Sequence, residues 1–309
     1  MHRTGRSVPL REFSLLLLLG ILWGIPYALT KISLGSIPPV TLVAARVSLA
    51  AVTLWFVVMV TGRRFSQRWA FVGRLFIQAA IACVIPYTLI AFGQQSVNSA
   101  LAAILNSTTP LFVCLISLAI THHEPITFER LSGITIGLGG VILIAGTSAL
   151  AGLGGEIIGQ SAIILATFSS AVSVIHGRRF ADVAPEVAAA GMLTCAAAIL
   201  VPLCFLVEAP MQVVPSLASL AALVVNAIVA TAFGFVVYFR LIRTIGSMAT
   251  ASVGYLKLGV GVLVGWVLMG EALTWTLALG LLAILLGVAA INENISMSSS
   301  PRKARGGTQ

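Results

Sequence analysis

Of 309 residues, 59% are Ala, Val, Ile, Leu, Met, Phe, Trp, Tyr or Cys and only 9% are charged, giving a mean hydropathy of +1.06. A water-soluble domain carries roughly 25% charged residues, so a soluble enzyme or a soluble nucleic-acid binder is excluded. The net charge of +9 would suggest nucleic acid in a soluble protein, but here the basic residues are few and scattered between long apolar runs, and no nucleic-acid partner is expected.

A helix crossing about 30 Å of hydrocarbon needs roughly 20 mostly apolar residues. Ten such runs follow one another: Phe13–Ile32, Pro39–Val60, Val72–Phe92, Ser99–Ile120, Arg130–Thr147, Ile157–His176, Val187–Val207, Leu217–Leu241, Ser247–Gly270 and Trp275–Ile291. They are too long and too continuously apolar for the alternating strands of a membrane barrel. The expected class is therefore an all-α polytopic membrane protein. Arg3, Arg6 and Arg11 before the first run resemble a signal peptide, but the run is long, contains Trp23 and Tyr27, and is followed by no small-x-small cleavage site. It is read as the first span. Cys83, Cys114, Cys195 and Cys204 all lie in apolar stretches, with no pair at a metal or redox spacing.

Basic residues in short loops stay on the cytoplasmic side. With ten spans and a cytoplasmic N-terminus, the inside segments hold Arg3, Arg6, Arg11, Arg63, Arg64, Arg68, Arg74, Arg130, Arg178, Arg179, Arg240, Arg243, Arg302, Lys303 and Arg305. The outside loops around 93–98, 148–156 and 208–216 hold none. Both termini are therefore expected in the cytoplasm. The basic residues left over are Lys31, Arg46 and Lys257.

The chain also repeats itself. Glu124, Thr127, aromatic Phe128, Gly133 and Gly140-Val141 recur 147 residues later as Glu271, Thr274, Trp275, Gly280 and Gly287-Val288. Because each unit holds five spans, the second enters the membrane from the opposite side. An inverted repeat is the architecture by which secondary transporters expose one midplane site alternately to either side. The expected organisation is a cytoplasmic segment 1–12, a first five-helix repeat 13–147, a glycine-rich linker 148–156, a second repeat 157–291, and a basic, disordered cytoplasmic tail 292–309.

Ten spans arranged five plus five, Trp23-Gly24 and Lys31 in the first, Pro38-Pro39 and Arg46 at the second, Ser99-Ala100 and Thr109-Pro110-Leu111 in the fourth, and a Glu-x-x-Thr turn closing each half together resemble the EamA family of the drug/metabolite transporter superfamily. The resemblance covers roughly Phe13 to Ile291. It implies a multi-pass transporter of the cell inner membrane, with export favoured because many relatives are exporters. Two departures stand out. The family's ninth span usually reads Tyr-Leu-Glu-Pro where this chain has Tyr255-Leu256-Lys257-Leu258, and Pro110 precedes Glu124 by 14 residues rather than 13.

A charge at the centre of a membrane helix costs on the order of 2.5–3.5 kcal/mol, so it faces a cavity or a partner. Arg46 can bind an anionic group with paired hydrogen bonds or satisfy carbonyls and snorkel. Lys31, at the end of its span, has snorkelling as its alternative. Lys257, near mid-span, can contact substrate or a carbonyl. All nine acidic residues, Glu12, Glu124, Glu129, Glu156, Asp182, Glu186, Glu208, Glu271 and Glu293, fall in tails, loops or helix ends. That argues against a cationic-drug exporter and for an anionic or zwitterionic substrate resembling an amino acid or organic acid. It also leaves Lys257 as the candidate carrier for any coupling proton.

The remaining candidate substrate contacts are Trp23, Tyr27, Tyr87, Asn106, Thr109, Ser252 and Tyr255, each alternatively a helix-packing residue. Pro26, Pro86 and Pro110 are candidate kinks or gates, since each removes a backbone donor. His122-His123-Glu124 lacks further ligands nearby, so no metal is expected. No Gly-x-x-x-x-Gly-Lys-Ser/Thr segment occurs, which excludes ATP hydrolysis through that motif. The expectation is a monomeric secondary transporter without cofactor in the lipid bilayer. Drugs and nucleotide sugars are the alternative cargoes, and a membrane-embedded lipid enzyme, for which no carboxylate or metal cluster is evident, is the rival class.

Overall fold

A computed structural model describes residues 10–63, 69–121, 132–133, 135–143, 154–251, 253–272 and 274–298. Among these, all regular structure is helical. In chain order the helices are α1 (Leu10–Ser33), α2 (Pro39–Val60), α3 (Trp69–Gly93), α4 (Ser99–Asn106 continuing as Thr109–Thr121), α5 (135–143), α6 (Gly154–Gly177), α7 (Pro185–Val207), α8 (Leu217–Gly246), α9 (Val253–Met269) and α10 (Trp275–Ser298). Seven helical stretches within α1–α4 and α6–α8 are long and apolar enough to cross a membrane, and Leu256–Met269 and Trp275–Leu286 are shorter apolar helices. The expected fifth span is described only over 132–133 and 135–143, and the Glu124 loop, His122-His123 and most of the expected linker lie outside the described residues.

Helix ends differ from the apolar runs in an instructive way. α10 continues to Ser298, past Ile291 where the apolar run stops and into the segment expected to be disordered. α8 reaches Gly246, whose φ of 85° ends the helix. A helix is continued by its backbone hydrogen bonds rather than by hydrophobicity, so an apolar run and the helix that contains it need not end together.

Two interruptions are local sequence effects. Pro26 has no N–H, so α1 is divided there into Leu10–Gly24 and Pro26–Ser33. Around Pro110, the hydroxyls of Ser107, Thr108 and Thr109 donate to the carbonyls of Ile104, Leu105 and Asn106 at 2.6–2.7 Å, satisfying groups at the break in α4. Two further irregularities have no local sequence cause: π-helical turns at Ala80–Val84 in α3 and Asn226–Phe233 in α8. Such widened turns displace a carbonyl from the regular ladder.

The packing pairs the two halves of the chain. α2 and α7 make the most extensive helix contact, and their apolar faces carry much of the largest buried cluster. α3 packs on α6 as α1 packs on α8, α2 on α8 as α7 on α3, and α4 on α6 as α9 on α1. Adding or subtracting five from each helix number reproduces the list. Close crossings are set by glycines: a Cβ at Gly24 would lie 2.5 Å from Val260, and one at Gly93 would lie 2.6 Å from the carbonyl of Gly159.

Polar contacts tie the loops 34–38, 94–98, 208–216 and 270–274 into one end of the molecule, here the upper end. The Ser216 backbone N–H donates to Ser36 Oγ at 2.9 Å, and Ser96 Oγ donates to the carbonyl of Gly155 at 3.0 Å. Arg63, Glu186 and Gly246 belong to the opposite, lower end.

Candidate functional site

A cavity with an empty volume of about 1110 Å³, its open part included, runs between the halves of the chain. Toward the upper end it is lined by Thr30 of α1, Leu42 of α2 and Ile90 of α3; toward the lower end it reaches Ser173 of α6, Tyr238 of α8 and Thr250. Among the described lining residues none is acidic, and two are cationic: Arg46 and Lys257.

Arg46 is buried on α2, at 7% exposure. Its Nε donates to Thr231 Oγ1 at 2.7 Å, and its guanidinium carbon stands 4.1 Å from the ring centroid of Tyr87, a cation–π arrangement. The Thr231 hydroxyl in turn donates to the carbonyl of Asn226 at 2.8 Å. That is a five-residue step within the π-helical turn of α8, so the widened turn positions the acceptor that Arg46 uses.

Lys257 Nζ donates to Asn106 Oδ1 at 2.6 Å. The same oxygen accepts from Tyr27 OH at 2.9 Å, and Asn106 Nδ2 donates to Thr167 Oγ1 at 3.2 Å. This network joins α1, α4, α6 and α9. Asn106 sits at the end of the first segment of α4, where the break before Pro110 lets its side chain serve neighbours rather than its own helix.

An aromatic wall completes the cavity. Trp23 packs on Phe235 and Tyr238 with ring centroids 5.6 and 5.1 Å apart. A Cβ at Gly234 would lie 2.5 Å from Trp23 Nε1, so that glycine makes room for the indole.

Thus Arg46, Lys257, Trp23, Tyr27, Tyr87, Asn106 and Thr109 converge on one cavity, together with Pro26. Lys31 does not line it. Its Nζ donates to the carbonyls of Gln94 and Val97 at 2.6 and 2.9 Å, tying α1 to the α3–α4 loop at the upper end. Pro86 and Pro110 are also absent from the lining; Pro86 is buried at the start of the helical segment after the π turn. Ser252 and the side chain of Tyr255 lie outside the described residues.

Two carboxylates tie helices together at the upper end. Glu208, beyond α7, accepts from the backbone N–H groups of Val40 and Thr41 at 3.0 and 2.7 Å and from Thr41 Oγ1 at 2.7 Å. Glu271, beyond α9, accepts from the N–H groups of Ser99 and Ala100 and from Ser99 Oγ, each at 2.7 Å. Each acid therefore caps the positive N-terminus of a helix in the other half of the chain.

Comparison with known proteins decides the family. The model of the EamA-like transporter family matches the chain twice, over residues 10–146 and 157–293, with starts 147 residues apart. The chain belongs to the EamA-like transporter family. Curated relatives include the uncharacterized transporter YoaV of Bacillus subtilis, 24% identical over 273 residues, covering 87% of this chain and 92% of YoaV. The uncharacterized inner membrane transporter YedA of Escherichia coli is 26% identical over 275 residues, 87% of either chain. One protein crystal structure shares the fold, with a TM-score of 0.67 at 21% identity over 92% of this chain and 98% of its own. This EamA-family chain is accordingly a multi-pass membrane transporter and not an enzyme.

Two residues beside the cavity carry a sequence signal that composition alone obscures. Asn226 and Thr231 stand within an otherwise apolar run, as Asn106 does, and invite the same question about partners. Phe235 and Tyr238 have no such signal, because aromatic residues are ordinary in a membrane helix. The capping roles of Glu208 and Glu271 depend on long-range packing that no local pattern reports.

Proposed function

We propose that this chain is a secondary active transporter of the inner, cytoplasmic membrane that exports a small polar metabolite, anionic or zwitterionic and resembling an amino acid or organic acid. It works by alternating access between two inverted five-helix repeats, with ten spans and both termini in the cytoplasm. The observation that carries this reading is the cavity shared by both halves, where Arg46 and Lys257 stand without an acidic neighbour among the described lining residues. Burying such charges is costly, and an anionic group entering the cavity offsets that cost while a cationic drug increases it.

The reciprocal packing of the halves supports inversion, and the name of YedA as an inner membrane transporter supports the location. The distribution of basic residues assigns the upper end to the outside. On that assignment the conformation is closed outside by Glu208, Glu271 and Lys31, and its cavity extends toward the cytoplasm. Substrate binding would loosen these outer contacts while the inner end closes. For a coupling proton the cavity offers Lys257, whose acceptor among the described residues is Asn106. One chain holds both cationic anchors, so a monomer suffices.

The test is an untargeted comparison of metabolites released by cells with and without the protein, followed by transport of the released compound in proteoliposomes. Arg46→Ala is expected to lower that transport by on the order of tenfold or more, since losing a charge-assisted hydrogen bond costs about 1.5–3 kcal/mol. Transport at the wild-type rate from an equal amount of folded protein would remove Arg46 from the site. Reporter fusions after residue 150 and at the C-terminus should read outside and inside, respectively; any other pattern overturns the ten-span arrangement.

A further inference from the structure

We infer that the cavity selects an organic dianion of the dicarboxylate type, with one carboxylate taken by Arg46 and the other by Lys257. This narrows the substrate class of the transport site just proposed and rests on that reading.

Three observations carry it. First, the fixed charge is unbalanced: the two cations line one cavity, and no described lining residue is acidic. The groups they touch are neutral, namely Thr231 Oγ1 and the Tyr87 ring for Arg46 and Asn106 Oδ1 for Lys257. Neutral oxygens orient a cation but do not cancel its charge. A monoanion leaves one cation uncompensated, and a zwitterion brings an ammonium into a cavity whose described lining has no carboxylate to receive it.

Second, the cations are held apart. Arg46 lies seven residues into α2 from Pro39 and Lys257 lies twelve residues before Met269 on α9. At 1.5 Å per residue these are depths of about 10 and about 18 Å below the upper helix ends, a difference of about 8 Å. Asn106 stands on the Lys257 side, its Oδ1 accepting from both Lys257 Nζ and Tyr27 OH. Two anionic groups separated by a short carbon chain fit this spacing better than a single phosphate, which would need its cations to converge.

Third, each cation keeps donors to spare. A guanidinium carries five N–H donors and an ammonium three, and the described residues supply one hydrogen-bond acceptor to each. The Arg46 fork suits a planar carboxylate, while the point charge of Lys257 places less demand on orientation.

The test uses purified full-length protein in proteoliposomes, with glutarate and its monomethyl ester as a pair that share a carbon backbone but differ by one negative charge. Thermal stabilisation and competition against the transported metabolite are read for both, and for inorganic phosphate. Glutarate is expected to compete at least tenfold better than the half-ester. Arg46→Gln and Lys257→Met should each collapse that ratio toward one, while Lys257→Arg retains part of it.

Equal competition by the two glutarate forms in the wild type would overturn the inference, and so would better competition by phosphate or a wild-type ratio in both neutralised variants. The wild-type ratio is informative even where a variant does not fold. Release of a neutral or zwitterionic metabolite, with no response to glutarate, would defeat the dianion inference while leaving the transport reading intact. Absence of any released metabolite, with glutarate still bound in preference to its half-ester, would defeat the transport reading alone.

Discussion

The two ends of the α2–α7 pair solve the same problem with unequal strength. At the upper end, Glu208 crosses from beyond α7 to the first turn of α2 and accepts three hydrogen bonds of 2.7–3.0 Å. At the lower end the acid sits in the first turn of α7 itself, as Glu186, and Arg63 from beyond α2 meets it at 3.0 Å with 59% of the arginine side chain exposed. Both arrangements place negative charge at a helix N-terminus. Only the upper one fastens two helices through a half-buried carboxylate whose acceptor capacity is used on both oxygens. The difference teaches which end is latched: the upper end is held by Glu208, Glu271 and Lys31, whereas the described lower end has the Arg63–Glu186 pair, exposed on its arginine side, and a contact between His176 Nδ1 and Gln78 Oε1 at 2.7 Å.

The α3–α6 crossing extends the contrast and gives the largest expected effect. Near the upper end a Cβ at Gly93 would lie 2.6 Å from the backbone carbonyl of Gly159 on α6; toward the lower end a Cβ at Gly177 would meet Ile242 and Tyr238 of α8 and Gln78 of α3 at 3.4–3.6 Å, ordinary contact. Gly93→Ala is therefore expected to destabilise the protein by about 1–3 kcal/mol through overpacking, and Gly177→Ala to be close to neutral. Thermal unfolding of the purified variants checks this. Equal effects at the two positions would mean that the upper crossing is no tighter than the lower one.

The latch itself gives the next effect. Both oxygens of Glu271 accept hydrogen bonds, but an amide offers only one acceptor and turns its NH₂ toward backbone N–H groups. Glu271→Gln is expected to weaken the upper closure by about 1–2 kcal/mol, with Glu208→Gln acting alike. In a background lacking the four native cysteines, Thr30→Cys reports the opening. Labelling by a membrane-impermeant thiol reagent applied to the side that the upper end faces should rise by roughly 5- to 30-fold when either latch is removed. Unchanged labelling in both variants would show that the carboxylates cap helices without gating the cavity.

Much of this architecture is legible in the sequence, for physical reasons that also explain what is hidden. Membrane spans announce themselves because a bilayer demands long apolar runs, and Arg46 and Lys257 stand out because charge is costly there. Lys31 was equally visible in sequence, yet its carbonyl partners Gln94 and Val97 lie more than 60 residues away, so no local pattern separates a cation facing a cavity from one tying two helices. The π turns are illegible: Ala80–Val84 reads as ordinary apolar helix, Asn226 and Thr231 mark their segment as polar but not as widened, and the register arises from packing rather than composition. Thr231 shows the consequence, since its place beneath Arg46 depends on that register.

The smallest expected effect belongs to Arg63→Ala. Its ion pair with Glu186 is surface-exposed on the arginine side, where solvent screening and side-chain entropy leave such pairs worth little. Glu186 remains in the first turn of α7 after the substitution and still meets the positive helix end. The expected change in stability is therefore below about 0.5 kcal/mol, read by thermal unfolding beside Glu208→Gln, with Thr30→Cys labelling unaltered. An Arg63→Ala loss as large as that of Glu208→Gln would mean that the lower contact is itself a latch, and the two ends would then differ in chemistry but not in strength.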